Sequence, residues 1–247
     1  MDFRKFGLIG KNLSHSFSPQ YFKDKWESEG VVDCLYQIFE IEDARELGNF
    51  LKTHQAFSGF NVTIPYKQLI LPLLSKLSKE AEEIGAVNCI KFDDGEWLGH
   101  NTDGLAFFAS LEEFIPSNFS NQALILGSGG ASKAVQWALN KRKIKFDLVS
   151  SSNKGRSYED INSNWDERWF LIINTSPVGM YPVVDQAPDL DYSHINGNTF
   201  VYDLIYNPLE SEFLKIARSK SAKTKNGLEM LKHQADLSLD FWMKEFI

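Results

Sequence analysis

Short apolar runs alternate with amphipathic runs along the N-terminal part of the chain. The segments FGLIG, CLYQIFE and GFNVTI resemble strands, and QYFKDKWESEG and EDARELGNFLK, which separate them, resemble helices. This alternation is typical of βαβ units and a parallel sheet. In CIKFDDGEWLGHN, Asp94-Gly95 lies between alternating flanks and predicts a hairpin of two antiparallel strands.

A second alternating series follows the hairpin. The helical segment TDGLAFFASLEEF is followed by NQALILG, GASKAVQWALNKR, KFDLVSS, SYEDINS, WFLIINTSP, NTFVYDLIY and PLESEFLKIARSK. We place domain boundaries near Asp103 and near Gly227, beyond which GLEMLKHQADLSLDFWMKEF is one long amphipathic helix. The pattern therefore predicts a two-domain α/β protein, with domains at 1–103 and 104–227 and a C-terminal helix at 228–247.

Composition indicates a globular chain and excludes several classes of partner. Of the 247 residues, 43% are hydrophobic and 24% are charged. The net charge of −7, from 26 Lys and Arg against 33 Asp and Glu, argues against a nucleic-acid partner. Cys34 and Cys89 lie far apart without metal-like spacing, so we expect inert thiols, a reducing compartment and no metal site. Neither a cleavable leader nor an apolar run of about eighteen residues is present, which predicts a cytoplasmic protein without a membrane partner.

The segment ALILGSGGASKAV predicts a strand, a glycine-rich turn and a helix. This layout presents bare backbone amides at a helix N-terminus, which attracts phosphate. A side chain at Gly127 or Gly129 would obstruct the turn or the approach of a pyrophosphate. The third glycine of the usual fingerprint is replaced by Ser132, and a merely tight turn is the alternative. We predict a dinucleotide site that includes Gly127, Ser128, Gly129, Gly130 and Ala131.

The next strand, in KFDLVSSSNKGR, bears on the choice of dinucleotide. An NAD site usually has an acidic residue at the carboxyl end of this strand. Asp147 precedes Leu148 and Val149, so it lies at the wrong end. Hydroxyls and cations follow the strand, as a 2′-phosphate requires, and a solvated polar loop is the alternative. We predict that Ser151, Lys154 and Arg156 contribute to an NADP site.

Polar residues also collect at predicted strand ends and helix starts of the first domain. Lys67 closely follows the strand of GFNVTIPYK, because Pro65 cannot continue a central strand. SHSFSP, GAVN and HNTDG are three further polar clusters. Each alone is more often a cap or a turn. Together they predict one cleft that contains hydroxyls, amides, a lysine and a carboxylate.

These segments together resemble the shikimate dehydrogenase family. SHSFSP, GFNVTIPYK, GAVN, NTDG, GSGGAS, INTSPVGM, VYDLIYNP and NGLEMLKHQA occur in the order found in that family and span nearly the whole chain. The resemblance implies an N-terminal α/β substrate domain, a Rossmann-like NADP-binding domain and a C-terminal helix that returns to the substrate domain. It implies reversible NADPH-dependent reduction of 3-dehydroshikimate to shikimate, and we expect a monomer or homodimer.

The resemblance also assigns roles to single residues. It makes Lys67 and Asp103 the catalytic pair. It implies that the substrate is bound through its carboxylate by Ser16 and Ser18, through its ring hydroxyls by Asn88 and Gln234, and beside Asn61, Thr63 and Tyr206. It places Asn174, Thr175, Ser176, Gly227, Met230 and Leu231 along the cofactor.

Two alternatives stay open. The family's usual Asn-Arg-Thr after the second strand of the NADP domain is replaced here by SSSNKGR, and that domain is short for the family. A quinate/shikimate dehydrogenase that uses NAD is therefore one alternative. The other is a catalytically silent NADP-binding relative, against which the retention of Lys67 and Asp103 argues.

Overall fold

The computed structural model describes residues 3–13, 16–150 and 155–244, and these form two compact units. Unit 1 comprises Met1–Thr102 and Gln234–Ile247, and unit 2 comprises Asp103–His233. The last helix begins in unit 2 and ends in unit 1, so the chain passes twice from one unit to the other. The α/β class and the return of the C-terminal helix to the first unit are confirmed.

Unit 1 contains a mixed sheet of six strands within the described ranges. They are β1 (Arg4–Gly10), β2 (Cys34–Glu40), β3 (Gly59–Val62), β4 (Lys76–Leu77), β5 (Cys89–Asp93) and β6 (Glu96–His100), in the order β2-β1-β3-β5-β6-β4. β1 is parallel to β2 and β3, whereas β5 is antiparallel to β3 and β6. The predicted hairpin is β5–β6, with Asp94 and Gly95 at positive φ in its turn.

The strand predicted over GFNVTI is shorter than its apolar pattern indicates. β3 ends at Val62, because a turn begins at Thr63, whose carbonyl accepts a hydrogen bond from the Tyr66 amide at 2.8 Å. Ile64 lies in that turn and is 66% exposed. The prediction that the strand extends through Thr63 and Ile64 was wrong, since Pro65 ends the ladder earlier than hydrophobicity alone suggests.

Within the described ranges, unit 1 contains three complete α-helices and part of the last helix of the chain. They are α1 (Ser18–Ser28), α2 (Leu47–Thr53), α3 (Lys79–Ile84) and the C-terminal part of α8 (Leu228–Met243). Pro19 occupies the first turn of α1, where its missing amide hydrogen is not needed. Phe6 of β1, Phe22 of α1 and Trp242 of α8 pack in one buried cluster, which joins the C-terminal helix to the sheet.

Unit 2 contains a parallel sheet in the described part of the chain. Its strands are β7 (Gln122–Leu126), β8 (Phe146–Val149), β9 (Trp169–Asn174), β10 (Phe200–Asp203) and β11 (Lys223–Lys225), in the order β11-β10-β9-β7-β8. The helices are α4 (Thr102–Phe114), whose first residue belongs to unit 1, α5 (Gly130–Lys141), α6 (Tyr158–Ser163), α7 (Glu212–Ser219) and the start of α8. Apart from Phe170, the apolar residues of β7, β9 and β10 are almost completely buried, as in a sheet covered on both faces.

The strand order of this Rossmann-like unit 2 reverses direction once. The chain proceeds from β7 outward to β8, returns to β9 on the other side of β7, and continues to β10 and β11. The order therefore reverses between β7 and β9. In doubly wound sheets, ligands bind at such a switch point, outside the carboxyl ends of the strands. The glycine-rich turn after β7 and the Asn174 turn after β9 lie at that point.

Candidate functional site

Three amide side chains of unit 1 come together beside the end of β3 and the start of β5, two central strands of the sheet. Asn88 accepts from the Thr102 amide at 2.7 Å and donates to the Thr102 hydroxyl at 2.8 Å. The same Asn88 amide nitrogen reaches Gln234 Oε1 at 3.4 Å. Asn61 Nδ2 contacts the Asn88 carbonyl at 3.4 Å. Because Asn61 and Asn88 are almost completely buried, their orientations are fixed by these bonds.

Two residues that sequence reasoning missed complete the amide cluster. The Tyr36 hydroxyl donates to Asn61 Oδ1 at 2.8 Å, and Asn61 Nδ2 donates to Ser238 Oγ at 2.9 Å. Ser238 in turn donates to the Gln234 carbonyl at 2.8 Å. Burial raises the pKa of Tyr36 well above its ordinary value, so this hydroxyl remains a donor. Ser238 follows Gln234 by four residues on one helix, and that spacing is a signal the sequence offers.

The backbone of Lys67 is bonded to the residue that precedes Asn88 of the amide cluster. Its carbonyl accepts from the Val87 amide at 2.7 Å, which fixes the turn after β3 beside the residue that precedes Asn88. Next to it, the fully buried Tyr66 donates its hydroxyl to the Ile41 carbonyl. Lys67 is half-buried, and its backbone is held by the bond from Val87 and by the buried neighbour Tyr66.

The remaining candidates are two substrate ligands of unit 1, at the start of α1 and after β3, and the catalytic candidate Asp103 at the start of α4. Ser16 Oγ accepts from the Ser18 amide at 3.3 Å, so its hydroxyl helps to cap α1. Thr63 is half-buried, and its amide donates to the Ile9 carbonyl at 2.9 Å. Asp103, the first residue of unit 2, lies in the first turn of α4 and is 7% exposed. It directly follows Thr102, which Asn88 holds.

In unit 2, the glycine-rich turn has the two properties that a phosphate site needs. Gly127 has φ of +112°, and a Cβ there would lie 2.8 Å from Thr175 Oγ1, so the turn itself requires glycine. At Gly129, no atom of the described residues comes within 4 Å of such a Cβ. Gly129 is also the N-cap of α5 and supplies no side-chain cap. The amides that begin this helix are thus accessible to an anion from the side of Gly129.

Residues that follow β8 give a mixed result for the expected 2′-phosphate contacts. Ser151 and Lys154 lie outside the described residues. Arg156 Nε donates to Asp160 Oδ2 at 2.5 Å, and its guanidinium lies 5.4 Å from the ring centre of Trp169. Asp147 accepts from Trp169 Nε1 at 2.9 Å, so this carboxylate is directed toward an indole rather than toward a ribose.

The carboxyl ends of β9 and β10, in unit 2, carry another buried polar cluster. Asn174 donates to Asp203 Oδ1 at 3.0 Å and accepts from the amide and hydroxyl of Ser176 at 3.0 and 2.7 Å. Thr175 donates its hydroxyl to the Leu126 carbonyl at 2.9 Å, at the end of β7. The three residues predicted to run along a cofactor therefore form one hydrogen-bonded turn. Asp203, which sequence reasoning did not select, anchors it.

The last candidates of unit 2 lie around the start of α8. The Gly227 amide donates to the Ile205 carbonyl at 3.0 Å, and a Cβ at Gly227 would collide with the Leu204 carbonyl oxygen. Met230 is 7% exposed, and the Leu231 amide donates to the Gly227 carbonyl at 2.9 Å. Tyr206 is half-buried, and burial raises the pKa of its hydroxyl. Gly227 thus allows α8 to begin directly against the turn after β10.

Comparison with known proteins decides the family. A model of the shikimate dehydrogenase substrate binding domain matches residues 8–90. The shikimate dehydrogenase (NADP(+)) of Clostridium beijerinckii is 38% identical over 97% of this chain and 92% of its own length. The chain belongs to the shikimate dehydrogenase family. The match to this relative extends over both units of the chain.

Solved structures agree with this assignment. The shikimate 5-dehydrogenase of Thermus thermophilus, in complex with NADP(H) and shikimate, is 30% identical with a TM-score of 0.85, over 97% of this chain and 93% of that one. The quinate dehydrogenase of Corynebacterium glutamicum, in complex with NAD, is 27% identical with a TM-score of 0.86, over 98% and 94% of the two chains. None of the described helices of this family member is both long and apolar enough to cross a membrane.

Proposed function

We propose that this protein is an NADP-dependent shikimate dehydrogenase, which reversibly reduces 3-dehydroshikimate to shikimate on the route to chorismate and the aromatic amino acids. The observation that carries the proposal is the buried amide cluster of Asn61, Asn88 and Gln234, in a chain that matches such enzymes over nearly its whole length. Oriented amides are suited to a polyhydroxylated ring, because an amide carbonyl oxygen has two lone pairs and the bonds described for Asn61 and Asn88 use one on each oxygen.

The substrate end of the proposed site belongs to unit 1. Asn88 and Gln234 bind ring hydroxyls, and Asn61 and Thr63 line the same strand end. Ser16 and Ser18 bind the substrate carboxylate through their hydroxyls, at the start of α1, where the helix dipole favours an anion. The family resemblance adds the hydroxyl of Tyr206 as a further substrate ligand.

Charge gives Lys67 and Asp103 their proposed roles. Reduction of a ketone produces an alkoxide, which needs a proton and, until the proton arrives, a nearby cation. The ammonium group of Lys67 provides the positive charge and the hydrogen-bond donor. Asp103 orients that ammonium group and accepts from a neighbouring substrate hydroxyl. Its position in the first turn of α4 favours the ionised carboxylate.

NADP is proposed to bind at the switch point of the parallel sheet in unit 2. The open space at Gly129 and the uncapped start of α5 fit a pyrophosphate. The proposed partners of the nicotinamide half are the turn Asn174–Ser176, Gly227 and Met230, and those of the adenosine half are Ser151, Lys154 and Arg156. When bound, NADPH supplies hydride to the carbonyl carbon of the substrate.

Turnover followed by nicotinamide absorbance tests this proposal. The purified protein is assayed with shikimate or quinate, each with NADP or NAD. We expect the highest kcat/KM with shikimate and NADP. Preferential oxidation of quinate with NAD would favour the quinate/shikimate alternative, which the neighbour from C. glutamicum and the engagement of Arg156 by Asp160 keep open. Binding of NADP without turnover would indicate the silent relative.

We also propose that the enzyme acts in the cytoplasm as a monomer or homodimer. Neither Cys34 nor Cys89 forms a disulfide, which fits a reducing compartment. Sedimentation of the purified protein across a concentration series measures the oligomeric state.

A further inference from the structure

Asp203 is a completely buried carboxyl group at the carboxyl end of β10. Three segments of unit 2 donate hydrogen bonds to it. Asn174 Nδ2 and the Ile205 amide both contact Oδ1 at 3.0 Å, and the Ser211 hydroxyl contacts Oδ2 at 2.5 Å. Burying a carboxyl group is unfavourable unless such partners compensate for lost hydration.

The bond from Asn174 sets the orientation of a functional turn. Because Nδ2 of Asn174 donates to Asp203, its Oδ1 must face the other way, toward Ser176. Ser176 Oγ then accepts from the Val178 amide at 3.3 Å. With the Asn174 amide reversed, Oδ1 would face the carboxyl group and the Ser176 amide would lose its acceptor. The shape of the turn after β9 therefore depends on Asp203.

Contacts with two glycines extend this dependence to the neighbouring loops. The Thr175 hydroxyl and the Ser176 amide lie against Gly127, where a Cβ would come within 2.8 and 3.1 Å of them. On the other side, Ile205 receives its bond from Gly227, and the Leu204 carbonyl faces Gly227. Asp203 thus connects the turn packed on the glycine-rich loop with the turn packed on the start of α8.

We propose that Asp203 is a positioning residue for the cofactor, because it fixes the turns after β9 and β10 in the geometry that NADP requires. The inference rests on the proposed function. Asp203 is fully buried, and it acts through Asn174 and Ile205 rather than by contact with a ligand. Replacement by Ala removes the acceptor for both. Replacement by Asn keeps an acceptor oxygen for them and directs its NH₂ group to Ser211, whose hydroxyl can accept.

The test compares three variants by NADPH titration, steady-state kinetics and thermal unfolding. Asp203→Ala should weaken NADPH binding about tenfold or more and lower kcat. Asp203→Asn should bind NADPH within about threefold of the unmodified enzyme. The matched structural control is Ser211→Ala, which also removes a bond to Asp203, together with the N-cap of α7. It should lower the melting temperature without changing NADPH affinity.

The outcomes separate this inference from the proposed function. If the unmodified protein binds no NADPH, the proposed function fails first. If it binds NADPH and Asp203→Ala binds equally well, or Ser211→Ala weakens binding as much as Asp203→Ala, the positioning role is wrong. Should Asp203→Ala not fold, Asn174→Ala removes the same contact from the other side. Unchanged NADPH affinity in that variant would also overturn the inference.

Discussion

In unit 1 the candidate ligands are side-chain amides and hydroxyls, whereas in unit 2 they are mainly backbone groups shaped by glycines. Asn61, Asn88 and Gln234 contact one another or share partners, so their geometry depends on bonds between side chains. At Gly127 and Gly227, by contrast, another loop approaches so closely that no side chain fits. The unit 1 site should therefore lose affinity when one hydroxyl or amide is removed, and the unit 2 site when one methyl group is added.

The largest expected effect concerns the charged pair at the proposed reaction centre. Lys67→Met and Asp103→Asn should each lower kcat at least about 100-fold, because each removes a charge that acts in the transition state. Steady-state kinetics with shikimate and NADP measures the effect, and Lys52→Met, on the exposed face of α2, is the matched control. The double variant should be little worse than the singles. Near-normal turnover of either single variant would argue against the pair.

Titration of Asp203 should make the free energy of unfolding depend on pH. Burial raises the pKa of Asp203 to about 6, above its ordinary 3.8. The folded protein therefore holds this proton more tightly than the unfolded chain, and the contribution of Asp203 to the free energy of unfolding falls as pH rises from about 4 to about 6. The loss is roughly 1 to 3 kcal/mol. Tyr192, which interacts electrostatically with Asp203, stays neutral there because burial raises its own pKa.

Urea unfolding at about pH 5 and about pH 7 measures this contribution. Asp203→Asn lacks the titrating group, so its free energy of unfolding relative to the unmodified enzyme should increase between the two pH values. A difference that stays constant would show that Asp203 does not titrate in this window.

Two glycines of one turn sharpen the comparison further. Gly127→Ala should lower the free energy of unfolding by about 1 to 3 kcal/mol, because a side chain at φ of +112° is strained and meets Thr175. Gly129→Ala should leave stability within about 0.5 kcal/mol, since its Cβ meets open space. It should still weaken NADPH binding by occupying the approach to the amides of α5. Urea unfolding and NADPH titration distinguish the two effects, and unchanged NADPH affinity of Gly129→Ala would contradict the site.

For unit 1 the corresponding change removes one oxygen. Tyr36→Phe deletes the donor to Asn61 Oδ1 and leaves a buried acceptor unsatisfied, which is unfavourable by about 1 kcal/mol. The KM for shikimate should rise about fivefold while the KM for NADP stays constant. Tyr21→Phe is the control, because it removes a hydroxyl bonded to Asp236 in the same unit but outside the amide cluster. Equal changes in the two variants would assign Tyr36 a structural role alone.

Features that depend on local sequence were predictable here. The β5–β6 hairpin followed from Asp94-Gly95, and α8 followed from its amphipathic period and extends over Leu228–Met243. The need for glycine at Gly127 followed from the turn between a strand and a helix. Each of these signals lies within a few neighbouring residues.

The residues that sequence reasoning missed depend on contacts between distant segments. Tyr36 and Asn61 are 25 positions apart, and Asn174 and Asp203 are 29 apart. A tyrosine within a strand pattern gives no sign of where its hydroxyl points. Asp203 did carry a signal, since an acidic residue in the apolar segment TFVYDLIY is unusual in a buried strand. Its partners could only be found in the folded structure.

The smallest expected effect is the contribution of Arg156 to cofactor choice, because this arginine already has an anionic partner in Asp160. We expect the kcat/KM for NADP to exceed that for NAD by about 10- to 100-fold, reduced by added salt. Because Asp160 lies 2.5 Å from Arg156 Nε and Trp169 covers the guanidinium, Arg156→Ala should reduce the preference only about threefold. Asp160→Asn should raise the preference for NADP by a similar factor, since the substitution leaves the charge of Arg156 available to a 2′-phosphate. Kinetics with both cofactors at low and high salt measure the ratio. Loss of the whole preference in Arg156→Ala would mean that this arginine exchanges Asp160 for the phosphate when NADP binds.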